Sequence, residues 1–288
     1  MLDARTRANI SSTAHLTAGM RTLGRLTDGD AANADYLADR FLLLEQRSWT
    51  WAPRVSRFLF DRLVPGAFGY FNARTRYFDD VLLAEAAHGL EQLVVLGAGF
   101  DSRSLRFASQ LGAARVFEVD RPEVLATRAE RLQGLPPNPH ARAVPIDFEG
   151  DDLAEVLEAH GFQRARRSLF LWEGVTYYLP DSAVESVLTR VASLTAAGSS
   201  MVLDYVTRAF FEGDVRGYGA KQLAYGWRSI GNVNRSGVAS VHALAHAHGF
   251  RVLEDLGPEA LERRYLSDLP GGPRKVWGVV RIAHIARV

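Results

Sequence analysis

Cysteine is absent from this 288-residue chain. Its absence excludes a disulfide scaffold, a thiolate zinc site, an iron–sulfur cluster and a cysteine nucleophile. No apolar run approaches the ~20 residues that span a bilayer, and residues 1–10 lack the apolar core of a secretion signal. The sequence therefore predicts a cytoplasmic protein that does not interact with membranes.

An excess of charge of either sign is also missing. The 34 basic and 33 acidic residues leave a net charge of +1, and no segment concentrates the basic side chains as nucleic-acid-binding domains do. Nucleic acid is thus not an expected partner. The G-x-S-x-G motif of α/β hydrolases and the G-x-x-x-x-G-K-[ST] loop of P-loop nucleotide triphosphatases are absent as well, which argues against both classes.

The pattern that is present changes near residue 91. Before it, periodicity and turn residues predict helices over 3–26, 35–47, 53–63 and 72–88. After it, short apolar runs predict strands at 92–97, 114–119, 142–146, 168–173 and 199–206. Between these strands, helices are predicted at 102–110, 122–132, 151–160 and 181–196, with Asp181 as the N-cap of the last.

The end of the chain has a different pattern. Residues 207–248 are predicted to be mostly helical, and 250–256 and 276–286 are predicted to be two strands joined by a linker that contains Pro270-Gly271-Gly272-Pro273. Apolar strands that alternate with helices predict a parallel sheet covered on both faces. We expect an α/β fold with a doubly wound, mostly parallel seven-stranded sheet. A helical cap (1–90) would precede a core (91–288) that carries a helical substrate lid at about 207–248.

A glycine turn follows the first predicted strand, in the sequence Gly97-Ala98-Gly99. Such a turn lets the backbone approach a ligand closely, and dinucleotide-binding folds are one class that uses it. The third glycine of the dinucleotide motif is replaced by Ser102, and Asp101 would repel a pyrophosphate. The turn therefore favours a ligand with an ammonium group, or one without charge, over NAD. A plain strand-to-helix turn is the alternative.

Asp120 ends the second predicted strand, 21 residues after Gly99. An acid at this spacing typically accepts hydrogen bonds from ribose hydroxyls. The alternative is a cap for the helix that begins at Pro122. The spacing favours the ligand role.

Four motifs together resemble the leucine carboxyl methyltransferase family of class I S-adenosylmethionine-dependent methyltransferases, and in particular its bacterial natural-product O-methyltransferases. They are, in chain order, VVLGAGFDSRSLRF, VFEVDRPEVLATRAERL, PIDFEG and LFLWEGVTYYLP. The segments STAHLTAGMR and FNARTRYFDD are similar too, so the resemblance covers most of the chain. It implies the Rossmann-like fold of that class.

The resemblance also implies a role for each matching residue. Arg74 would pair with the carboxylate of S-adenosylmethionine, Asp120 would bind its ribose, and Glu173 would lie near its methionine portion. The cofactor site would further include the residues of the glycine turn and two residues that hold the adenine: Gly97, Ala98, Gly99, Asp147 and Phe148. Tyr178 would face the substrate.

The strand ends support this assignment independently of the family. Gly97, Asp120, Asp147 and Glu173 all fall at predicted carboxyl ends of successive strands, which form the ligand crevice of such folds. A metal site is a poor alternative. His242 and His246 share a helix face, but no third ligand is evident.

The resemblance predicts transfer of a methyl group from S-adenosylmethionine to a carboxylate or hydroxyl of a small molecule in natural-product biosynthesis, with S-adenosylhomocysteine as the second product. No residue stands out as a catalytic base, and nothing in the sequence indicates the acceptor or the oligomeric state. Three alternatives stay open: a cyclisation or rearrangement with a structural cofactor, a non-catalytic binding module, and an NAD-dependent oxidoreductase.

Overall fold

The computed structural model describes residues 4–148, 150–229, 236–269 and 274–288, and the side chains from residue 13 onward. The predicted linker at Pro270–Pro273 and part of the predicted lid lie outside the described residues.

Thirteen α-helices and seven strands occupy the described residues. The helices are α1 Ala4–Asp28, α2 Leu44–Arg47, α3 Pro53–Leu63, α4 Ala67–Ala87, α5 Arg103–Arg106, α6 Ala108–Leu111, α7 Pro122–Arg131, α8 Leu153–Ala159, α9 Asp181–Leu194, α10 Arg208–Phe211, α11 Ala220–Ser229, α12 Val241–Ala247 and α13 Pro258–Tyr265. The strands are β1 Gln92–Leu96, β2 Arg115–Asp120, β3 Ala141–Pro145, β4 Ser168–Trp172, β5 Ser200–Val206, β6 Phe250–Leu256 and β7 Val280–Arg287. Short 3₁₀ helices cover Ala38–Phe41, Ser48–Thr50 and Thr176–Tyr178.

The strands form one seven-stranded sheet in the order β3-β2-β1-β4-β5-β7-β6. β1, β2, β3, β4 and β5 pair in parallel. From β1 the chain first builds outward to β2 and β3, then returns to add β4 on the other side of β1. The predicted doubly wound sheet is confirmed, and its strand order reverses between β1 and β4. In such folds ligands bind at this reversal, beyond the carboxyl ends of the strands.

The last strand runs against the others. The Thr207 amide, just after β5, donates to the Val279 carbonyl just before β7, and the Arg287 amide donates to the Ser199 carbonyl. The start of β7 therefore meets the end of β5, which makes the pair antiparallel. β7 therefore departs from the parallel pattern of β1 to β5.

Apolar side chains explain why the central strands are buried. β1, β4 and β5 are buried at every residue, as expected for strands covered on both faces. Phe117, Phe162 and Phe170 pack edge to face in this core, with ring centroids 5.7 and 5.9 Å apart. By contrast, β3 at the sheet edge is mostly exposed.

Four local predictions are wrong, and one of them is the helix expected over 102–110, which is interrupted at Phe107 between α5 and α6. A single helix was expected over 35–47, but the chain forms the 3₁₀ helix Ala38–Phe41 and the short α2, with extended backbone at Leu42 and Leu43. The linker predicted after β6 contains α13, which begins at Pro258. The predicted N-cap, Asp181, is instead the first residue of α9 and follows Pro180 at the cap position.

The chain divides into two compact units. The first comprises residues 1–77, 206–233 and 256–281, and the second comprises 78–205, 234–255 and 282–288. The second unit contains β1 to β4 and their connecting helices. The division into a cap of residues 1–90 and a core of residues 91–288 stays a prediction. Across the residues that the structure describes, no helix combines the length and apolarity that crossing a bilayer requires.

Candidate functional site

The carboxyl ends of β1, β2 and β4 form the candidate site. The register pairs Leu96 of β1 with Val119 of β2, and β4 is in parallel register on the other side of β1. The next residue on each strand path, Gly97, Asp120 and Glu173 respectively, therefore lies at the same edge of the sheet. This edge is where the strand order reverses, so the fold brings these three predicted residues to one place.

Two glycines shape the turn after β1. Gly97 has φ +67° and Gly99 has φ +45°, a conformation that disfavours other residues. A Cβ on Gly97 would lie 2.8 Å from Cγ2 of Val175. Between the glycines, the amide of Ala98 donates to the carbonyl of Val119 at 2.9 Å. The turn is thus held against β2, and its two glycines place no side chain over the backbone there.

The Asp120 carboxylate binds two backbone amides. Its Oδ2 accepts from the amide of Gly99 at 2.7 Å, and its Oδ1 accepts from the amide of Arg121 at 2.7 Å. Burial raises the pKa of Asp120, while the two amide hydrogen bonds oppose that rise. The carboxylate therefore joins the turn after β1 to the end of β2, and its remaining lone pairs stay available to a ligand.

The buried side chain of Arg103, on α5, contacts three carboxylates. Its Nε donates to Oδ1 of Asp79 at 2.7 Å. Its Nη1 donates to Oδ2 of Asp101 and lies 2.7 Å from Oε2 of Glu173. Burial opposes the positive charge, but Asp101, Glu173 and Asp79 raise the pKa of Arg103 above its ordinary value. One guanidinium thus connects α4, the turn after β1 and the end of β4.

Arg106 completes this group by binding Asp79 with two nitrogens. Its Nη1 lies 2.8 Å from Oδ2 and its Nη2 lies 3.0 Å from Oδ1. Two arginines and three carboxylates give the group a formal charge of −1. We refer to these five side chains, Arg103, Arg106, Asp79, Asp101 and Glu173, as the Arg103 cluster.

A neutral pair lies beside the cluster. Glu118 on β2 accepts from Nη1 of Arg128 at 2.7 Å and from the hydroxyl of Ser104. Burial raises the pKa of Glu118, and Arg128 and Ser104 oppose that rise. Nε of Arg128 also donates to the carbonyl of Asp101 at 2.9 Å. The pair therefore supports the turn after β1 without changing the net charge there.

Buried Asp204, at the end of β5, holds the segment that follows Glu173. Its Oδ1 accepts from the amide of Gly174 at 2.6 Å, and its carbonyl accepts from the hydroxyl of Thr176 at 2.6 Å. Tyr178 ends the 3₁₀ helix of this segment and is half-buried, with its ring 4.8 Å from that of Tyr177. Glu173 is thus fixed on both sides, through its own carboxylate and through the backbone that follows it.

The other predicted site residues have different surroundings. Asp147 and Phe148 follow β3 on an exposed segment, and Phe148 is 46 % exposed. Arg74 is buried on α4, and its guanidinium lies 5.3 Å from the ring centroids of both Tyr70 and Phe71.

The two histidines weighed as metal ligands lie on one short helix. His242 and His246 are exposed on α12. Over the described ranges, no group of three or more histidine, aspartate and glutamate side chains is arranged to hold a metal ion.

Sequence reasoning named Glu173 but missed the other four members of the Arg103 cluster and Asp204. The DSRSLR segment did contain Asp101, Arg103 and Arg106, but only the fold shows that they bind Asp79 and Glu173. The weak signal available was the pair of acids Asp79-Asp80 in a helix that also carries Arg74 and Arg76.

The residues at this edge of the sheet fit S-adenosylmethionine. Gly97 and Gly99 carry no side chain in the turn after β1, and the carboxylates of Asp120 and Glu173 lie at the ends of β2 and β4 on either side of that turn. A nucleoside that carries two hydroxyls, an ammonium and a sulfonium requires hydrogen-bond acceptors and negative charge, and Asp120 and Glu173 supply both.

The order of the strands and the glycine turn at their reversal define a doubly wound α/β protein of the class I methyltransferase fold. Residues 14–192 match the family described as leucine carboxyl methyltransferase. The match covers more than half of the chain, and the chain belongs to this family.

Curated relatives agree with this membership, and a solved structure shares the fold. Over 199 residues the chain is 36 % identical to a protein of Parafrankia sp. (strain EAN1pec) named "Putative S-adenosyl-L-methionine-dependent methyltransferase", covering 68 % of this chain and 63 % of that one. A protein of the same name from Mycolicibacterium gilvum is 39 % identical over 46 % of this chain and 43 % of its own length. The chain thus spans between two-fifths and two-thirds of these relatives. The crystal structure of a DUF574 family protein from Streptomyces avermitilis superimposes with a TM-score of 0.60 at 15 % identity, over 92 % of this chain and 100 % of that one, which shows the shared fold.

Proposed function

We propose that this chain is an S-adenosylmethionine-dependent O-methyltransferase that acts on a carboxylate or hydroxyl of a small molecule, an intermediate of natural-product biosynthesis. The observation that carries the proposal is that Gly97, Asp120 and Glu173 lie side by side at the carboxyl ends of β1, β2 and β4, where the strand order reverses. Family membership supports methyl transfer from S-adenosylmethionine.

The strand order suggests how the ligand lies along the sheet edge. From the outer strand inward, β3 is followed by Asp147 and Phe148, β2 by Asp120, β1 by the glycine turn and β4 by Glu173. Neighbouring strands lie ~4.8 Å apart, so the four ends span about 14 Å. We assign the adenine to the β3 end, the ribose to Asp120 and the methionine portion to the Glu173 end, with Arg74 as the partner of its carboxylate.

Bound S-adenosylmethionine supplies a methyl group that its sulfonium sulfur already activates. The protein then contributes to catalysis by holding the ligand rigidly and orienting the acceptor oxygen, because correct orientation removes much of the entropic barrier. The double hydrogen bond of Asp120 and the two-sided fixation of Glu173 provide that rigidity. Tyr178, which follows Glu173 on the same segment, is the residue that we place on the acceptor side.

The two acceptor classes differ in whether the acceptor oxygen needs a base. A carboxylate is ionised at neutral pH and needs none, whereas a hydroxyl must lose its proton. Asp204 is the carboxylate at the end of β5, but it is fully buried and its Oδ1 already binds the Gly174 amide. Carboxylate acceptors are therefore the first to be tested.

The test is transfer of an isotopically labelled methyl group from S-adenosylmethionine to a panel of small carboxylic acids, phenols and alcohols, read by mass spectrometry. A labelled product supports the proposal, and mild base then separates the two acceptor classes, because it hydrolyses a methyl ester and leaves a methyl ether intact. A substrate converted without gain of the label would support a structural cofactor instead. Failure of the protein to bind S-adenosylmethionine in a parallel calorimetric titration would overturn the proposal.

A further inference from the structure

Helix α3 exposes its apolar side, which is the reverse of an ordinary surface helix. A surface helix normally turns an apolar stripe at least ~100° wide toward the core and keeps its charged side chains in water. Four apolar side chains of α3 are instead more than half exposed: Val55 (58 %), Phe58 (58 %), Leu59 (51 %) and Leu63 (70 %). At about 100° per residue they cover roughly 140° of the helix surface. We refer to these four side chains as the α3 apolar face.

The opposite side of α3 attaches the helix to the protein. Nη1 of Arg57 lies 3.2 Å from each carboxylate oxygen of Asp28, the buried last residue of α1. The hydroxyl of Ser56 donates to the carbonyl of Trp49 at 3.1 Å, and the ring of Phe60 packs edge-on against the ring of Trp49, with centroids 4.7 Å apart. Turning the helix over would break the ion pair with a buried carboxylate, which is costly. The attachment therefore fixes the α3 apolar face toward solvent.

Three side chains of this face form a ridge that is symmetric about its middle residue. Val55, Leu59 and Leu63 follow one another at intervals of four residues, which is the row along which helices most often pack against each other. An antiparallel copy of α3, related by a two-fold axis at Leu59, would set Leu59 against Leu59 and Val55 against Leu63. Such self-complementarity is what a two-fold interface between identical chains requires.

The exposed apolar area is close to what a dimer needs. Trp51, four residues before Val55, is 85 % exposed and adds to the α3 apolar face. With about 200 Å² for an aromatic side chain and about 100 Å² for an aliphatic one, these five side chains expose roughly 450 Å². Two copies would bury about 900 Å² of apolar side chain, and a specific interface requires about 1,000 Å² in all. The neighbouring backbone and the apolar stem of Arg62 supply the difference.

We propose that the α3 apolar face is the interface of a homodimer, in which α3 packs antiparallel against α3 of a second copy. The ridge carries no charge, and the guanidinium of Arg62 beside it lies 5.5 Å from the ring centroid of Phe58. The face therefore fits an uncharged apolar surface, which a second copy provides. None of its residues has a role in the proposed methyl transfer, so this inference holds or fails independently of that function.

Sedimentation velocity at protein concentrations from about 1 to 100 μM tests the association, and we expect the wild-type protein to pass from monomer to dimer in this range. Leu59→Glu would bring two carboxylates together at the two-fold axis, and Leu63→Glu would set a carboxylate against Val55 of the second copy. Each should raise the dissociation constant of the dimer at least about 100-fold. Both positions are exposed, so the monomers should stay folded, and thermal unfolding checks this.

The control variant for charge is Tyr225→Glu. It adds the same charge at an exposed aromatic residue of α11 and should dimerise as the wild-type protein does.

Disulfide trapping tests the antiparallel arrangement. The chain has no cysteine of its own, so Leu59→Cys introduces its only thiol. A disulfide requires Cα atoms about 4.4–6.8 Å apart, and mild oxidation should therefore join two copies if residue 59 of each lies at the two-fold axis. Arg54→Cys is the control on the same helix, because Arg54 is exposed and lies about 140° around the helix from Leu59. It should give little cross-linked dimer.

Three results would overturn the proposal. A wild-type protein that stays monomeric at about 100 μM has no such interface, whether the face then binds a lipid vesicle or another protein. A dimer that survives both Leu59→Glu and Leu63→Glu is held by another surface. A dimer that both variants dissociate, but that Leu59→Cys does not cross-link beyond Arg54→Cys, excludes the antiparallel packing. Loss of the dimer in both variants, with an intact Tyr225→Glu dimer and a Leu59→Cys cross-link, supports the proposal.

Discussion

The amide of Gly99 donates a 2.7 Å hydrogen bond to Oδ2 of Asp120. This bond joins the turn after β1 to the end of β2, and Oδ1 of the same carboxylate holds the amide of Arg121 at 2.7 Å. A residue that sequence spacing suggested as a ribose ligand thus also fixes the shape of the glycine turn. The two roles need not compete, because each carboxylate oxygen has a second lone pair.

Asp120→Asn is expected to weaken both stability and binding. An asparagine keeps one acceptor and points its amide group at one of the two backbone amides, which costs about 1–3 kcal/mol of unfolding free energy. Affinity for S-adenosylmethionine should fall roughly tenfold or more, since a charged acceptor is lost. Calorimetric titration checks the affinity. Glu123→Gln removes an equal charge three residues along and serves as the control. Unchanged affinity in a folded Asp120→Asn protein would contradict the site assignment.

Gly97→Ala is expected to destabilise the protein through two effects. The left-handed backbone at φ +67° disfavours alanine by about 1–2 kcal/mol, and the new Cβ would lie 2.8 Å from Val175. Gly198 also has positive φ, at +83°, but nothing lies within 4 Å of its Cβ position. Gly198→Ala therefore isolates the backbone effect. Urea denaturation should show the larger loss for Gly97→Ala, and equal losses would contradict the close approach of Val175.

Arg128→Met is expected to cost about 3–5 kcal/mol, because it leaves buried Glu118 without its cation. Burial already raises the pKa of Glu118, and loss of Arg128 would raise it further. A carboxyl whose folded pKa is raised contributes stability below its ordinary pKa of 4.5 and loses that contribution as the pH rises through the folded value. The deficit of Arg128→Met should therefore be smaller at pH 5 than at pH 7.5 in urea denaturation. Adding Glu118→Gln should recover most of the loss, and no recovery would mean that the pair is not the cause.

His284, on β7, predicts a pH dependence of stability with the opposite sign. Its buried Nε2 lies 3.7 Å from Oε1 of Glu85 and has no hydrogen-bond partner within the described part of the chain. Burial lowers the pKa of His284 from its ordinary value of 6.5, and Glu85 and Glu254 only partly oppose this.

The neutral form of His284 is thus favoured in the folded state, and its contribution to stability is present above pH 6.5 and is lost as the pH falls toward the folded pKa. The free energy of unfolding should decline between pH 7 and pH 5 more steeply for the wild-type protein than for His284→Gln. Parallel slopes in urea denaturation at pH 5, 6 and 7 would show that His284 does not titrate on unfolding.

Much of the fold could be predicted because its signals are local. The strands β1 to β6 were expected within one or two residues of their observed bounds, since each is a short apolar run between turn residues. The same holds for α3 and α7, which begin at Pro53 and Pro122 at positions that favour proline. The signal for α13, Pro258 followed by Glu259, is equally local and was overlooked.

Other features depend on distant partners. The break in the helix expected over 35–47 follows from Asp35, whose Oδ1 accepts the amide of Leu37 at 3.1 Å and whose Oδ2 binds Arg21 at 2.8 Å. A side chain held from α1 thus competes with helical backbone hydrogen bonds, and local propensity cannot reveal it. Asp181 is a similar case, because its carboxylate accepts from the hydroxyl of Ser236 instead of capping α9.

The residues of the candidate site also fall into those that local sequence signals predict and those that only the fold brings together. Glycine and carboxylate positions at strand ends follow from spacing, so Gly97, Asp120 and Glu173 could be proposed from sequence. The Arg103 cluster could not, because Asp79 and Glu173 lie 24 and 70 residues from Arg103 and only the fold brings them to it.

The position of β7 has a consequence for the order in which the chain can fold during synthesis. This strand lies between β5 and β6, and its residue Arg287 bonds through its amide to Ser199 and through its guanidinium to Gly249. While the ribosome still holds residues 280–287, β5 has an unpaired edge and β6 has no neighbour in the sheet. Until β7 has left the ribosome and paired, the nascent protein thus exposes an apolar strand edge, which is a template for aggregation. A slow step or a chaperone requirement at that stage would come from the topology of the sheet, whatever the chemistry at its other edge.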